Sequence, residues 1–112
     1  NGRPIKVPNV ATDAIVVRKH GDAYQILLIT RGKEPFKGQL AFPGGFVDYN
    51  EDPADACIRE LKEECGIEGV NPVLITAAGK PNRDPRKHVI SIVYSVEVPQ
   101  DCHVKAGDDA AS

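Results

Sequence analysis

Residues 45–67 of the 112-residue chain read GFVDYNEDPADACIRELKEECGI, and four of these residues are glutamates. At about 100° per residue, a helix that starts before Glu60 places Glu63 near 300° and Glu64 near 40° from it, so the three carboxylates share one face. The opposite side, between about 100° and 160°, holds an apolar stripe. The stripe consists of Ala54, Ile58, Leu61 and Cys65. The pattern predicts a helix with one face for the core and one acidic face.

Both ends of this helix are marked in the sequence. Asp52 is a suitable N-cap, and Pro53 fits the first helical position, where its missing N–H has no helical partner to lose. Gly66 suits the position just past the end. Upstream, residues 43–45 read PGG, a backbone able to bend sharply and approach a ligand closely. The stretch therefore predicts a loop, a helix and a second loop that act as one unit.

The acidic face needs a physical reason, because like charges three and four residues apart oppose helix formation by a few tenths of a kcal/mol per pair. Hard carboxylate oxygens on a rigid helix suit Mg²⁺, which takes one or two carboxylates and leaves its other positions to water and substrate phosphate. A solvated acidic surface is the alternative, and three glutamates alone would favour it. The flanking glycines and Arg59 favour the metal.

Residues 45–67 resemble a complete Nudix box, Gly-x5-Glu-x7-Arg-Glu-U-x-Glu-Glu-x-Gly-U, in which U is a bulky aliphatic residue. A match of this length is far more specific than a short glycine motif. The resemblance implies an α+β fold, an α/β/α sandwich around a mixed sheet with a catalytic loop-helix-loop motif. It also implies that Mg²⁺, or in some members Mn²⁺, and water split the pyrophosphate of a nucleoside diphosphate linked to another group.

The resemblance also assigns roles to individual residues. The implied metal ligands are the backbone carbonyl of Gly44 and the carboxylates of Glu60, Glu63 and Glu64. Arg59 matches the arginine that pairs with the first glutamate of the box, Glu51, and this pair would brace the motif from a different side of the helix. A metal bridging the diphosphate would neutralise its charge and acidify the attacking water.

The general base stays open at this stage. Glu63 and Glu64 could take the proton from water, given suitable geometry. In the Nudix enzymes that hydrolyse ADP-ribose, a glutamate on a later loop often does so. Asp108 and Asp109 are the acids near that region of this chain, and neither is a glutamate.

Two loops carry candidate substrate-binding residues. Residues 31–37 read RGKEPFK and place Arg31 and Phe36 where a nucleotide base or phosphate could bind; an exposed, solubilising loop is the alternative. Residues 81–88 read PNRDPRKH and form the most cationic short stretch of the chain, which an ordinary basic turn could also explain.

The second loop resembles the Arg-Asp-Pro-Arg segment of Nudix enzymes that hydrolyse ADP-ribose, and residues 41–47 resemble the entry to the box in the same group. The resemblance adds Arg83, Asp84 and Arg86 to the predicted substrate-binding residues. It makes ADP-ribose the leading substrate, with AMP and ribose 5-phosphate as the products. Nucleoside triphosphates, damaged nucleotides and dinucleoside polyphosphates are the alternatives. A catalytically silent ADP-ribose sensor is less favoured, because such members commonly lose box glutamates and this chain keeps them all.

The rest of the chain predicts strands around the helix. The β-rich segments are residues 11–18, 24–30, 71–77 and 88–98, and residues 19–22 resemble a hairpin turn. We expect one mixed α+β domain over residues 1–112. Family members usually continue into another strand and a C-terminal helix, so the domain is expected to lack these two elements.

Composition limits the partners. The net charge of −2 gives no general attraction to nucleic acid or anionic membrane, and no apolar run reaches the ~18 residues that span a bilayer. We expect a small nucleoside diphosphate substrate and no binding to nucleic acid or membrane. The resemblance adds a homodimer as a further oligomeric state.

Cys57 and Cys65 would lie about 12 Å apart along the helix, too far for a disulfide. Free thiols favour a reducing, cytoplasmic location.

Overall fold

A mixed sheet with a helix on one face forms the part of the chain that the computed structural model describes, residues 5–99. Along the chain the elements are β1 (Asn9–His20), β2 (Ala23–Ile26), β3 (Ile29–Thr30), β4 (Leu40–Ala41), β5 (Gly44–Phe46), α1 (Pro53–Cys65), β6 (Val70–Ala78) and β7 (Val89–Glu97). The expected α+β class is confirmed.

The sheet is built around β1, which has neighbours on both sides. β1 runs parallel to β7, from Asn9 opposite Val89 to Val16 opposite Val96, and β7 pairs antiparallel with β6. On its other side β1 pairs antiparallel with β5 near its start and with β2 near its end. The order is β2-β1-β7-β6, and β3 and β4 form a separate two-stranded sheet. Parallel and antiparallel pairs together confirm the mixed sheet.

The helix begins and ends as the sequence predicts. The Asp52 side chain accepts a hydrogen bond from the Ala54 N–H at 2.8 Å, and Pro53 occupies the first turn. Gly66 ends the helix in the left-handed region, at φ 69°, and its N–H donates to the Lys62 carbonyl. A residue with a Cβ would be strained at this φ, which explains the glycine.

The core lies between α1 and the sheet. Leu61, Cys57 and Cys65 pack in one cluster with Ala14 and residues of β7. Both thiols are buried and free, as expected. Burial raises the pKa of each thiol to about 11, so they remain protonated and unreactive near neutral pH.

The predicted separation of the two helix faces is partly wrong. Ala54 and Ile58 of the apolar stripe are only half-buried, whereas Ala56 and Cys57 are fully buried. Glu64, placed on the acidic face, is 5% exposed. β5 packs over this side of α1, so the acidic face is covered at one end.

The predicted strand over residues 24–30 is two strands in two sheets. The Leu27 N–H still donates to the Val16 carbonyl at 2.9 Å, but the chain then leaves β1. Ile29 and Thr30 pair instead with Ala41 and Leu40. β-rich composition marks such residues as strand formers but does not say which strand they will meet.

Several expectations concern helices or residues that are not found within residues 5–99. Within residues 5–99 the helical layer consists of α1, and the second layer of the expected α/β/α sandwich is not found there. No helix of the described part of the chain is long and apolar enough to cross a membrane. Asp108 and Asp109 lie outside the described residues.

Candidate active site

An open cleft of about 640 Å³ gathers residues from β1, β5, α1 and two loops. All the predicted metal-binding and substrate-binding residues line it: Gly44, Glu60, Glu63, Glu64, Arg31, Phe36, Arg83, Asp84 and Arg86. Glu51 and Arg59 do not appear in its lining. The cleft therefore has carboxylates on its helix side and arginines on its loop side.

Arg59 and Glu51 form a two-point ion pair next to the cleft. Arg59 Nε donates to Glu51 Oε2 at 2.7 Å, and Nη2 donates to Glu51 Oε1 at 2.9 Å. Glu51 also accepts from the Asp48 N–H, and Arg59 donates to the Phe46 carbonyl. The hydrogen bonds from Arg59 lower the pKa of Glu51 to about 2. The pair ties the loop after β5 to α1, an arrangement that matches the implied bracing role.

Arg59 also reaches the carboxylates that were expected to lie on another side of the helix. Its Nη1 donates to Glu60 Oε1 at 2.8 Å and to Glu63 Oε2 at 3.2 Å. Burial raises the pKa of Glu60, and Arg59 counteracts part of this rise. The expectation that Arg59 points to a different side of the helix from the acidic face is wrong, because its guanidinium group donates to Glu60 and Glu63 as well as to Glu51.

Glu64 fixes the glycine turn by a hydrogen bond. Its Oε1 accepts a hydrogen bond from the Gly44 N–H at 2.8 Å. A Cβ on Gly44 would collide with the backbone carbonyl of Thr12, and one on Gly45 would lie 2.5 Å from the Glu60 carboxyl carbon. The backbone of β1 cannot give way, so only glycine fits at position 44, whereas a side chain at position 45 would displace the Glu60 carboxylate.

The donor chemistry of the helix suits a hard divalent cation, although the carboxylates do not converge on one point. Within residues 5–99 no three Asp, Glu, His or Cys side chains are close enough together to hold a metal. Arg59 attracts oxygens of Glu60 and Glu63, and Glu64 is directed to Gly44. Carboxylate and carbonyl oxygens on one cleft wall are nevertheless the ligand types that Mg²⁺ takes.

The loop side of the cleft carries arginines fixed by their neighbours. Arg31 Nε donates to the Pro35 carbonyl at 2.7 Å, and Arg83 Nη2 donates to the Ala78 carbonyl at 3.0 Å. Arg86 forms a two-point pair with Asp84, which lowers the pKa of Asp84 to about 2. Guanidinium groups held in this way suit phosphate oxygens.

Two further cleft residues, Asp13 and Ser91, did not stand out in the sequence. Both line the cleft, from β1 and β7 respectively. A charged residue inside an apolar β-rich segment is the one signal that could have found Asp13. Ser91 gave no signal, because a serine in an alternating strand is ordinary.

The NUDIX domain profile matches residues 7–111 of this sequence. The chain belongs to the NUDIX domain family. Among solved structures, the MutT/nudix family protein from Enterococcus faecalis superposes with a TM-score of 0.92 at 32% identity, over 100% of this chain and 44% of that chain. The NUDIX fold expected from the box is therefore confirmed.

Two curated relatives of this NUDIX domain have ADP-ribose in their names. The chain is 46% identical over 103 residues, 92% of its length, to the ADP-ribose pyrophosphatase of Methanocaldococcus jannaschii, and it covers 58% of that protein. It is 35% identical over 78% of its length to the ADPR responsive transcriptional repressor NtrR of Acinetobacter baylyi, and it covers 36% of that protein. The chain thus spans little more than half of the first relative and about a third of the second.

Proposed function

We propose that this NUDIX domain hydrolyses the pyrophosphate bond of a nucleoside diphosphate linked to another group, with ADP-ribose as the leading substrate. The observation that carries the proposal is the cleft itself, in which the helix carboxylates face the loop arginines. The similarity to a protein named ADP-ribose pyrophosphatase over 92% of the chain supports both the reaction and the substrate.

The residues of the cleft suggest how it would take such a substrate. The guanidinium groups of Arg31, Arg83 and Arg86 would bind the diphosphate oxygens, and Phe36, whose side chain is half exposed, offers a face for a base. Their contacts to Pro35, Ala78 and Asp84 hold these arginines in place before binding.

Glu60, Glu63, Glu64 and the carbonyl of Gly44 would hold Mg²⁺ or Mn²⁺. When bound, the cation would neutralise charge on the diphosphate and acidify the attacking water. Glu51 and Arg59 would hold the loop after β5 against α1 without contacting the substrate. Among residues 5–99, Glu63 and Glu64 remain the candidates for the general base, because both line the cleft and belong to the acidic face.

A second candidate function is ADP-ribose sensing without turnover. The relative named as an ADPR responsive repressor supports it. The complete set of box glutamates in this chain favours the hydrolase, because a sensor needs no metal-bound water.

The buried free thiols of Cys57 and Cys65 agree with the predicted cytoplasmic location.

The test is turnover of a substrate panel, with and without Mg²⁺. The panel contains ADP-ribose, NADH, diadenosine polyphosphates and oxidised dGTP. We expect Mg²⁺-dependent hydrolysis with the highest kcat/KM for ADP-ribose. No turnover of any compound, together with micromolar binding of ADP-ribose, would refute the hydrolase and support the sensor.

A further inference from the structure

Asp13 and Ser91 form a polar pair in the cleft that the proposed hydrolysis does not use. Ser91 Oγ donates to Asp13 Oδ2 at 2.5 Å. Ser91 is 3% exposed and Asp13 is half-buried, and both line the cleft. The strands that carry them are parallel neighbours, with Ala11 directly opposite Ser91. The pair is therefore fixed in the sheet and does not depend on a mobile loop.

The pair lies next to the acidic end of the cleft. A Cβ on Gly44 would be 2.9 Å from Asp13 Oδ1, so this carboxylate lies against the backbone whose N–H is bound by Glu64. Burial raises the pKa of Asp13, and the bond from Ser91 and the charges of Arg83 and Arg31 oppose part of this rise. Asp13 thus lies within the electrostatic reach of the loop arginines and beside the turn that contacts the helix carboxylates.

This location limits what Asp13 can contact in a substrate. A carboxylate repels the oxygens of a diphosphate, but it accepts hydrogen bonds from hydroxyl groups. An ionised carboxylate has about four acceptor positions, and the bond from Ser91 uses one of them. The serine hydroxyl can also accept a bond while it donates to Asp13.

We propose that Asp13, supported by Ser91, binds sugar hydroxyls of the substrate and is a specificity determinant of this cleft. Acidic side chains bind ribose hydroxyls in the same way in dinucleotide-binding folds. The inference rests on the proposed function, because it takes the ligand to be a nucleoside diphosphate joined to a sugar. It predicts selection against ligands without the hydroxyls, since these would leave the remaining acceptor positions of a half-buried carboxylate without a donor.

The test measures binding of substrate fragments to the intact chain in the presence of Mg²⁺. The probes are AMP, ribose 5-phosphate and inorganic diphosphate, and the variants are Asp13→Asn and Ser91→Ala. Ser95→Ala is the matched control, because Ser95 also lies on β7, is half-buried and does not line the cleft. Thermal unfolding of each variant reports folding, and Ser91→Ala carries the test if Asp13→Asn does not fold.

We expect Asp13→Asn to weaken at least one of the two sugar phosphates about 10-fold or more, which corresponds to ~1.4 kcal/mol. Ser91→Ala should weaken the same ligand less, and Ser95→Ala should leave it unchanged. Inorganic diphosphate should bind Asp13→Asn at least as tightly as wild type, because it has no hydroxyl for Asp13 to accept from and the substitution removes a repelling charge. The deoxy form of the affected sugar phosphate that lacks the contacted hydroxyl should bind wild type and Asp13→Asn equally.

Two results would overturn the inference. Equal weakening of all three probes by Asp13→Asn would show that Asp13 only supports the glycine turn, and unchanged binding of both sugar phosphates would show no contact. Failure of the hydrolase proposal is distinguishable from either result. A wild-type protein that hydrolyses nothing, yet binds a sugar phosphate through Asp13, would refute turnover and keep this inference.

Discussion

At the residue scale, Arg59 offsets the mutual repulsion of the clustered glutamates. One guanidinium group contacts Glu51, Glu60 and Glu63, so the carboxylates that would repel one another share a single cation. These contacts raise the pKa of Arg59 further above its ordinary range. The positive charge that the sequence required among the glutamates is thus already present in the chain, and a divalent metal would add to it.

The Arg59–Glu51 pair predicts a pH-dependent part of the stability. The pKa of Glu51 is lowered from 4.5 to about 2 in the folded protein, so its contribution is fully present above pH 4.5 and is lost as the pH falls towards 2. The free energy of unfolding should therefore be higher for wild type than for Glu51→Gln at pH 6, and the difference should shrink between pH 4.5 and 2. Urea unfolding over this range measures it. A difference that stays constant would contradict the pair's role.

Glu64 offers the sharpest single substitution at the metal site. Glu64→Gln keeps an oxygen that can accept from the Gly44 N–H at the observed position, but it removes the negative charge. Loss of residues that merely support a metal site costs about 10–100-fold, so we expect a loss in kcat of at least about 100-fold at saturating Mg²⁺. Glu68→Gln is the control, because Glu68 is an exposed partner of Lys62. Wild-type turnover by Glu64→Gln would exclude the proposed metal site.

At the element scale, the capped helix and the glycine turn place the acids. Asp52→Ala removes the hydrogen bond to the Ala54 N–H without touching the cleft. We expect a loss of about 0.5–2 kcal/mol in unfolding free energy and an unchanged kcat for the folded fraction. Thermal unfolding and steady-state kinetics on the same sample measure both. A fall in kcat without a fall in stability would mean that Asp52 acts in the site.

The sequence predicts α1 well and its neighbours less well, for a local reason. Asp52, Pro53 and Gly66 mark the helix ends through chemistry that depends on a few adjacent residues. β5 has three residues, two of them glycine, so it shows no strand periodicity. Because β5 covers one end of the acidic face, the burial of Glu64 could not be read from a helical wheel.

At the scale of the whole molecule, the cleft exists because distant segments meet. Residues 31–36 and 83–91 reach the box through the pairing of β1 with β5 and β7. The sequence predicted the arginines and the glutamates as separate groups, and both groups line the cleft. Asp13 and Ser91 did not stand out in the sequence, because they lie 78 residues apart and only the parallel pairing of β1 with β7 brings them together.

Arg86 tests the loop side of the cleft. Its two-point bond to Asp84 holds a guanidinium at the cleft, and Arg86→Ala removes that charge. We expect KM for ADP-ribose to rise by about 10-fold, in line with the loss of one charge-assisted hydrogen bond of ~1.5 kcal/mol, with a smaller change in kcat. Lys80→Ala, at an exposed position outside the cleft lining, should leave KM unchanged. An equal effect of both substitutions would indicate a general charge effect.

The most direct test of the central claim is ³¹P NMR of ADP-ribose incubated with the protein and Mg²⁺. The two diphosphate signals should disappear at equal rates and be replaced by the phosphomonoester signals of AMP and ribose 5-phosphate, and chelation of the metal should stop the conversion. Diphosphate signals that persist at saturating Mg²⁺, while ADP-ribose is bound, would contradict a metal-dependent pyrophosphohydrolase.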